Sequence, residues 1–352
     1  MQVSQISLNR PEDVLESQKK SLTRAKDSLA RPDFGSLKRN DPWEKAIRLY
    51  RRQIIEKSGG QNVTKAWLKM YEILTLTPVG SALLQMGNQV NAFFNAELPG
   101  GFIYAANHFL KTNGRLFDWV IASYLPQVTH GKNFLPDEFD IISKYPKRTL
   151  VGSILTNRGN FWSDGDLTNP KMPAILATLA RSRLNPIHLY TADGGFDVEG
   201  QENIQEELSL PLIRGEVECG LRSINPGGIM IIKIFTFFTP QMWTLLVFLM
   251  RAFQNYDIFK PKTSGPLNSE SYFIGIGYRG LNNEDLAVIM KDPRDNETRY
   301  AIPSKSENDF LIDKITSFTD RQINNIERFL GKNGPKLEVE LNIQPLQVED
   351  QL

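Results

Sequence analysis

The segment IHLYTADGGFDVEGQEN, residues 187–203, organises the rest of the chain. Its apolar start, 187–190, predicts a strand, and Asp193 follows that strand together with Gly194 and Gly195. Because ligands of open α/β sheets bind beyond the carboxyl ends of the strands, we expect Asp193 to project into a ligand crevice. The other interpretation is an ordinary strand-to-helix loop with an acidic N-cap, and this segment by itself fits both.

The same alternation of strands and helices extends along the chain. Further strands are predicted at residues 91–97, 117–124 and 229–235, with helical patterns between them. This order predicts an α/β fold with a mostly parallel sheet and helices on both faces. Residues 256–259 and 269–277 predict a terminal hairpin that adds one antiparallel strand.

Helical spacing of apolar residues marks most of the remaining segments. Asp41 and Pro42 have the pattern of an N-cap followed by proline at the first helical position. Asp166 is expected to cap the helix that begins near residue 171, whereas 137–161 fits neither pattern. Predicted helices cover residues 11–30, 42–57, 63–89 with a kink near Pro78, 171–183, 202–224, 240–253 and 309–330, and a further strand is predicted at 337–341.

Composition excludes several classes of protein. The chain has 41 Lys and Arg against 40 Asp and Glu, so its net charge of +1 predicts no global attraction to nucleic acid. Residues 1–60 carry a local basic excess, which a solvated helix face also explains. The one cysteine, Cys219, excludes an intrachain disulfide, fits a reducing compartment and is expected in the core. The histidines lie far apart along the chain, so we expect no metal site.

The most apolar stretch, residues 229–253, is not expected to span a membrane. Lys233 and Pro240 interrupt it and leave pieces shorter than the roughly 20 residues that a spanning helix needs. The pattern instead favours a buried strand followed by a core helix. Residues 1–10 also lack the apolar segment of a signal peptide.

Charged residues are expected at the ends or edges of the core elements, and they are Lys69, Asp193, Lys233 and Glu270. Two lysines and two carboxylates satisfy one another in a crevice where each alone would be costly to bury. Burial and a neighbouring cation both lower the pKa of a lysine, which makes it a usable base near neutral pH. A structural ion-pair network explains these residues equally well. Lys65 lies one helical turn before Lys69 and competes with it.

Several blocks of the sequence resemble the FtsJ-like ribose 2′-O-methyltransferases, which use S-adenosylmethionine, and among them the mRNA cap-specific enzymes. The similarity is closest in ADGGFDVEGQEN at 192–203, PGGIMIIKIFTFFTP at 226–240 and FKPKTSGPLNSESYF at 259–273. Shorter matches are GGF at 100–102, GDLT at 165–168 and WLKM at 67–70. The resemblance implies a Rossmann-like methyltransferase sheet with helical additions at both ends of the chain.

The resemblance also implies roles for the charged residues, which match the catalytic tetrad of the family. Lys233 would accept the proton of the ribose 2′-hydroxyl while that oxygen attacks the sulfonium methyl group. Asp193 and Lys69 would orient Lys233 and the hydroxyl, and Glu270 would hold Lys69. The scheme depends mostly on positioning and needs no metal, because the methyl group already carries a good leaving group.

The cofactor site that the resemblance implies is the first βα turn. Its glycines would let the backbone approach the methionine part of S-adenosylmethionine, and the helix N-terminus would offer donors to the carboxylate. The turn is not G-x-G-x-x-G, which argues against a dinucleotide site. Asp166 matches the family aspartate that accepts from the adenine amino group. The residues expected to line the site are Glu97, Pro99, Gly100, Gly101, Phe102, Asp166 and Asp193.

The partner that the resemblance implies is the 5′ end of capped mRNA. Glu202 and Asn203 match positions at which the cap-specific members place an acid and an amide against the positively charged methylated guanine. Contacts to the triphosphate and the RNA backbone would position the RNA without reading its sequence. The candidates for them are Lys38, Arg39, Lys260 and Lys262, for which solvated surface charge is an equal explanation.

Two other functions stay open, namely 2′-O-methylation of rRNA or tRNA and a catalytically silent RNA-binding subunit with the same fold. The chain is expected to comprise a basic helical extension at 1–60, a methyltransferase domain at 61–280 and a C-terminal extension at 281–352 that packs on the core. The resemblance is compatible with other capping or transcription proteins as partners and with no membrane. The expected location is intracellular, either the nucleus or the cytoplasm or virion of a large DNA virus.

Overall fold

The computed structural model describes residues 11–30, 34–35, 37, 41–125, 137–156, 159–196, 198, 200–281, 303–331 and 334–352. A mixed sheet lies at the centre of these residues, and a separate two-stranded sheet lies beside it. The strands are β1 (Gln89–Asn95), β2 (Leu116–Ala122), β3 (Gly152–Thr156), β4 (Gly159–Ser163), β5 (Leu189–Ala192), β6 (Ile229–Ile234), β7 (Phe253–Phe259) and β8 (Ser271–Tyr278). The separate sheet consists of β3 and β4.

The strand order of the central sheet is β2-β1-β5-β6-β8-β7. β1 pairs in parallel with both β2 and β5, and β5 pairs in parallel with β6. β8 is antiparallel to both β6 and β7, as the hairpin pattern predicts. The predicted α/β fold with a mostly parallel sheet is therefore confirmed. The chain order reverses between β1 and β5, which opens a crevice at their carboxyl ends.

Helices cover both faces of the sheet. They are α1 (Pro11–Asp27), α2 (Pro42–Ser58), α3 (Lys65–Leu76), α4 (Val79–Gln85), α5 (Gly101–Thr112), α6 (Ile141–Lys144), α7 (Met172–Arg183), α8 (Gln205–Ser223), α9 (Pro240–Ala252) and α10 (Lys305–Leu330). Short 3₁₀ helices occupy Glu202–Ile204 and Val348–Asp350. Asp41 is the N-cap of α2, as predicted, because its carboxylate accepts from the Trp43 amide at 3.2 Å.

Consecutive residues of the central strands face opposite layers, so both faces of the sheet are buried. In β1, Phe93 packs into one apolar core, which includes residues of α7, α8 and α9, whereas Ala92 and Phe94 pack into a second core with residues of α2 to α5. Ile231 of β6 belongs to the second core. Because side chains alternate along a strand, Lys233, two residues after Ile231, faces the same side of the sheet as Ile231, which is the side of α3.

The described structure corrects two predicted helix boundaries. The helical pattern at 63–89 forms two helices, because α3 ends before Thr77 and α4 begins directly after Pro78. Asp166 does not cap α7, whose N-cap position is Lys171. Its carboxylate instead closes the local turn by accepting from the amide and the hydroxyl of Thr168 at 2.9 and 2.6 Å.

Two segments without helical spacing also differ from expectation. The unassigned stretch 137–161 contains α6, β3 and the start of β4. The predicted strand at 337–341 was wrong, since these residues form no strand. The Leu341 amide donates to the Tyr50 hydroxyl at 2.7 Å, so a side chain takes the place of a strand partner.

Both ends of the described chain contact the core. α1 contacts α10, and the C-terminal segment bonds to α2 and α5. The Ser58 hydroxyl donates to the Ile343 carbonyl at 3.3 Å, and the Asn107 amide donates to the Asp350 carbonyl at 2.9 Å. The division of the chain at residues 60 and 280 stays a prediction.

The apolar stretch 229–253 forms β6 and α9, as predicted. None of the helices in the described part of the chain combines the length and the hydropathy that crossing a bilayer requires. Cys219 is fully buried in the first core, and burial raises the pKa of its thiol to about 12. It is therefore a core residue, as expected.

Candidate active site

The sheet topology brings three charged residues to one edge. Asp193 follows β5 directly, Lys233 is near the end of β6, and Glu270 precedes β8. Because β8 runs antiparallel to β6, its first residues lie beside the last residues of β6, with Tyr272 opposite Lys233. Residues that are distant in sequence therefore meet at the carboxyl ends of β5 and β6.

Lys69 reaches the same point from α3. Its Nζ lies 3.0 Å from Glu270 Oε1 and 3.6 Å from Asp193 Oδ2. Lys233 Nζ lies 3.3 Å from Asp193 Oδ1 and donates at 2.6 Å to the main-chain carbonyl of Asp193. We call Lys69, Asp193, Lys233 and Glu270 the charged cluster. Each of its side chains keeps between 10% and 13% of its surface exposed, so the cluster is largely buried but still reaches solvent.

Lys65, the other candidate on α3, does not belong to the cluster. Its Nζ donates to both carboxylate oxygens of Glu44, at 2.7 and 2.8 Å, and lies over the Trp43 ring. Lys69 is therefore the lysine of α3 that the structure places beside Asp193.

The pKa of Lys69 is raised, whereas we expected the pKa of a lysine in this crevice to be lowered. Burial lowers the pKa of Lys69, but attraction to Asp193, Glu270 and Glu97 together outweighs burial, so the pKa is raised above its ordinary value. For Glu270, burial raises the pKa, but attraction to Lys69 and Lys233 outweighs it and lowers the pKa to about 2. Lys69 and Glu270 are thus both charged near neutral pH.

Acid should weaken this pair in a defined range. The pKa of Glu270 is about 2 when folded and 4.5 at its ordinary value, so its contribution to stability is complete above about pH 5 and is lost as the pH falls towards 2. We expect the free energy of unfolding of Glu270→Gln to be lower than that of the wild type at pH 7, and the gap to narrow between pH 4.5 and 3. Urea unfolding at each pH measures the gap.

Glu56→Gln is the control, because Glu56 forms an exposed pair with Arg52. The small difference in free energy of unfolding between Glu56→Gln and the wild type should stay nearly constant over the same pH range. A Glu270→Gln gap that does not change with pH would contradict the charged state of Glu270.

Two hydroxyl groups that sequence reasoning missed bind the cluster. The Tyr272 hydroxyl donates at 2.7 Å to Asp193 Oδ1 and lies 3.3 Å from Glu270 Oε1. The Ser264 hydroxyl donates at 2.9 Å to Glu270 Oε1. Directly opposite residues of an antiparallel pair share a face, so the β6–β8 register would have identified Tyr272 beside Lys233. Ser264 lies in a loop and had no such signal.

Lys260 has an internal place, which corrects the expectation that it contacts RNA. It is 7% exposed. Its Nζ donates to the carbonyls of Asn268 and Glu270 at 2.8 and 2.7 Å and to the Asn268 side chain at 3.2 Å. Burial lowers its pKa to about 7. Its donors therefore hold the loop that leads into Glu270.

A buried carboxylate holds the start of the same loop. Glu72 is fully buried one turn after Lys69 on α3. It accepts from the amides of Lys262 and Thr263 at 2.7 and 3.0 Å and from the Thr263 hydroxyl at 2.8 Å. The helix that carries Lys69 is thus bonded to the loop that carries Ser264.

The remaining predicted RNA contacts are Lys262, Lys38 and Arg39. Lys262 is exposed, and its Nζ donates to the Glu338 carbonyl at 3.0 Å. Lys38 and Arg39 lie outside the described residues, so their contacts stay a prediction.

Glu202 and Asn203 lie exposed on the 3₁₀ helix that follows the Asp193 loop. One Glu202 carboxylate oxygen accepts from the Gly200 amide at 3.1 Å. The Asn203 amide donates to Asp27 of α1 at 2.8 Å, and Lys26 of α1 donates to the Glu202 carbonyl at 3.1 Å. Helix α1 therefore lies directly beside these two residues.

The first βα turn opens on the crevice next to the cluster. Glu97 is 3% exposed, and its Oε1 accepts from the Thr191 hydroxyl at 3.2 Å. Burial, with repulsion from Asp193, raises the pKa of Glu97 well above its ordinary value. Gly100 follows Pro99 and has a φ of +101°, a left-handed conformation that favours glycine.

The turn leads into α5 with Gly100 as the N-cap. Because Gly100 has no side chain, the first amides of α5 receive no bond from an N-cap side chain. Gly101 packs closely on α3, since a Cβ there would lie 2.5 Å from Thr64 Oγ1. The Phe102 ring lies 6.0 Å from that of Tyr272. This packing fixes α5 against the charged cluster.

Asp166 lies in the loop after β4 and is partly exposed. The neighbouring Gly165 packs against the end of β2, since a Cβ there would lie 2.3 Å from the Ser123 carbonyl oxygen. Asp166 thus lies at the carboxyl edge of the sheet beyond β2. In the described residues, no group of three or more His, Cys, Asp or Glu is arranged to hold a metal ion.

The fold and the placement of these side chains define a Rossmann-like α/β protein with a charged site at the carboxyl edge of its sheet. The chain belongs to the FtsJ-like methyltransferase family, whose family model matches residues 62–278. This match spans the first βα turn and all members of the charged cluster.

Named relatives agree with the family. A probable methyltransferase of African swine fever virus is 39% identical over 227 residues, which are 64% of this chain and 51% of that protein. A cap-specific mRNA (nucleoside-2′-O-)-methyltransferase 2 of Danio rerio is 30% identical over 271 residues, 75% of this chain and 35% of that protein. This chain thus spans about half the length of the viral relative and about a third of the Danio rerio protein.

Among solved structures, a putative ribosomal RNA methyltransferase of Plasmodium falciparum is 16% identical and covers 60% of this chain and 97% of its own. Its TM-score is 0.37. The fold assignment therefore rests on the strand order and pairing of this chain and not on that similarity.

Proposed function

We propose that the protein is an S-adenosylmethionine-dependent RNA methyltransferase that modifies the ribose 2′-hydroxyl of a cap-proximal nucleotide in mRNA. One observation carries the proposal: Lys233 Nζ is held by the carboxylate and the carbonyl of Asp193 at the carboxyl edge of the sheet, where it is still partly exposed. A lysine amine in this position is placed to receive a proton from a bound hydroxyl.

The residues of the first βα turn fit S-adenosylmethionine by the chemistry of their groups. Glu97 offers a buried carboxyl group as an acceptor for an ammonium group, and the uncapped N-terminus of α5 offers amides for a carboxylate. Asp166 offers an acceptor for the adenine amino group. When bound, the cofactor supplies a methyl group on a positively charged sulfur that leaves as a neutral thioether.

The charged cluster would then act on the acceptor ribose. The 2′-oxygen would receive the methyl group, and the sulfur of the bound cofactor would keep the electron pair of the broken carbon–sulfur bond. The hydroxyl proton passes to Lys233 Nζ, which must be an amine when it accepts. Asp193 fixes the direction of Lys233, and Lys69, held protonated by Asp193 and Glu270, places a second cation beside the ribose.

The cap-specific part of the proposal depends on Glu202 and Asn203. Both are exposed beyond the Asp193 loop and beside α1. A carboxylate and an amide together can bond the edge of a guanine, and the positive charge of a methylated guanine favours the acid. The name of the Danio rerio relative supports the same substrate.

Methyl transfer to matched RNAs tests this proposal. We expect short RNA with a methylated cap to be labelled at least tenfold faster than the same RNA with a 5′-triphosphate, and transfer RNA to remain unlabelled. Glu202→Ala and Asn203→Ala should each raise the KM for capped RNA about tenfold, because each removes a hydrogen bond to a charged or polar base edge.

Glu207→Ala is the control, because Glu207 is an exposed acid in the first turn of the following helix, α8, and forms an exposed pair with Lys19. Its KM should match that of the wild type. Equal labelling of capped and uncapped RNA would contradict cap recognition, preferential labelling of transfer RNA or ribosomal RNA would favour that substrate, and no labelling at all would favour a silent RNA-binding protein.

A further inference from the structure

The peptide that joins Asp193 to Gly194 is held from both sides. Its carbonyl accepts from Lys233 Nζ at 2.6 Å. Its amide donates to Glu216 Oε1 at 3.0 Å. Because the carbonyl and the amide of a trans peptide point in opposite directions in one rigid plane, these two bonds together fix the rotation of the plane.

Glu216 is unusual among the acids outside the charged cluster. It lies on α8 and is fully buried. Its second oxygen, Oε2, has no hydrogen-bond partner in the described part of the chain. Burial raises its pKa to about 8, although attraction to Lys233 lowers it. An apolar side chain would avoid the cost of burying a carboxyl group with one unpaired oxygen. The hydrogen bond that Oε1 accepts from the Gly194 amide therefore explains why an acid is present here.

The glycine at position 194 is fitted to Glu216. A Cβ on Gly194 would lie 2.2 Å from Glu216 Oε1, closer than real side-chain atoms approach. Any larger residue at 194 would therefore displace the carboxyl group from the amide. Gly195 has a different reason to be small, since a Cβ there would lie 3.3 Å from Lys233 Nζ.

We propose that Glu216 is a positioning residue for methyl transfer, a role that rests on the proposed function. Through the Gly194 amide it sets the plane of the peptide whose carbonyl holds Lys233. Without this acceptor the buried amide is unsatisfied and the peptide is free to rotate, so Lys233 loses one of its two fixed partners. Glu216 touches neither RNA nor cofactor in this scheme, and its loss acts on turnover and not on binding.

Two variants separate this role from a purely structural one. Glu216→Leu fills the space without an acceptor, and Glu216→Gln keeps an oxygen for the Gly194 amide. We expect Glu216→Leu to lower kcat about tenfold or more while the KM values for RNA and S-adenosylmethionine change less than about twofold. Glu216→Gln should keep kcat within about threefold of the wild type.

Control variants distinguish a loss of kcat through positioning from a loss of folded protein. Glu218→Leu changes an acid of the same helix that pairs with Arg222, and its kcat should stay near that of the wild type. If Glu216→Leu does not fold, Gly194→Ala supplies the second variant, since its methyl group displaces the same carboxyl and should lower kcat to a similar extent. Thermal unfolding of each variant shows which of them are folded.

The outcomes distinguish this inference from the proposed function. A folded Glu216→Leu with the kcat of the wild type, or equal loss in the Leu and Gln variants, would overturn the role of Glu216 and leave the methyltransferase proposal in place. A wild-type protein that transfers no methyl group to any RNA would overturn the proposed function itself.

Discussion

Lys233→Met should abolish methyl transfer almost completely, with kcat reduced by about 10³-fold, because the variant removes the amine that accepts the hydroxyl proton. Methionine keeps the length of the side chain and fills the same buried space. Asp193 retains Lys69 and the Tyr272 hydroxyl as partners at 3.6 and 2.7 Å. The fold should therefore survive, and the affinity for S-adenosylmethionine measured by calorimetry should change less than about threefold.

Lys57→Met is the control, because Lys57 is an exposed lysine in the last turn of α2 and belongs neither to the charged cluster nor to the predicted RNA contacts. Its kcat should equal that of the wild type. If Lys233→Met retained turnover within about tenfold of the wild type, Lys233 could not be the general base.

Glu206→Ala should lower the free energy of unfolding by about 3 kcal/mol or more. Glu206 is 4% exposed. Its carboxylate accepts from the hydroxyl and the amide of Thr239, at 2.6 and 2.7 Å, from the Phe238 amide at 2.9 Å and from the Thr236 hydroxyl at 2.8 Å. Alanine leaves these donors without their shared acceptor.

The same carboxylate also supports the site, because residues 236–239 connect the end of β6, with Lys233, to α9. Loss of Glu206 should therefore lower kcat as well as the free energy of unfolding. The change in free energy is measured by urea unfolding at pH 7. Glu207→Ala, in which an exposed pair with Lys19 is lost, should cost less than about 1 kcal/mol. A similarly small cost for Glu206→Ala would contradict the role of its buried bonds.

Much of the fold could be predicted from local patterns. Continuous apolar runs such as 229–235, bounded by Gly and Pro, are typical of buried parallel strands, and the structure has β6 there. The hairpin of β7 and β8 followed from two strand patterns joined by a short polar loop. These features depend on neighbours in sequence, which is why periodicity detects them.

The residues that form the site could not all be predicted from the periodicity of the sequence. Lys233 within an apolar run and Asp193 before two glycines are conspicuous in the sequence itself. Lys69 is not, because Lys65 lies on the same face of the same helix one turn earlier. Only the packing of α3 separates them, since it points Lys65 at Glu44 and Lys69 at Asp193.

Contacts between residues that are distant in the sequence could not be predicted either, because they also depend on packing. Lys260 was a candidate RNA contact with solvated surface charge as the alternative, but it is buried and its donors bind carbonyl groups of its own loop. Tyr272 and Glu216 contact the Asp193 segment from β8 and α8. Their roles depend on strand register and helix packing, which residue spacing does not encode.

The most direct test of the central claim is transfer of a labelled methyl group from S-adenosylmethionine to a short capped RNA whose cap-proximal nucleotide carries either a ribose or a 2′-deoxyribose. We expect the wild type to label the ribose substrate and to leave the deoxyribose substrate unlabelled. Lys233→Met should label neither substrate. Labelling of the deoxyribose substrate would contradict the assignment of the cap-proximal 2′-hydroxyl as the group that the charged cluster methylates.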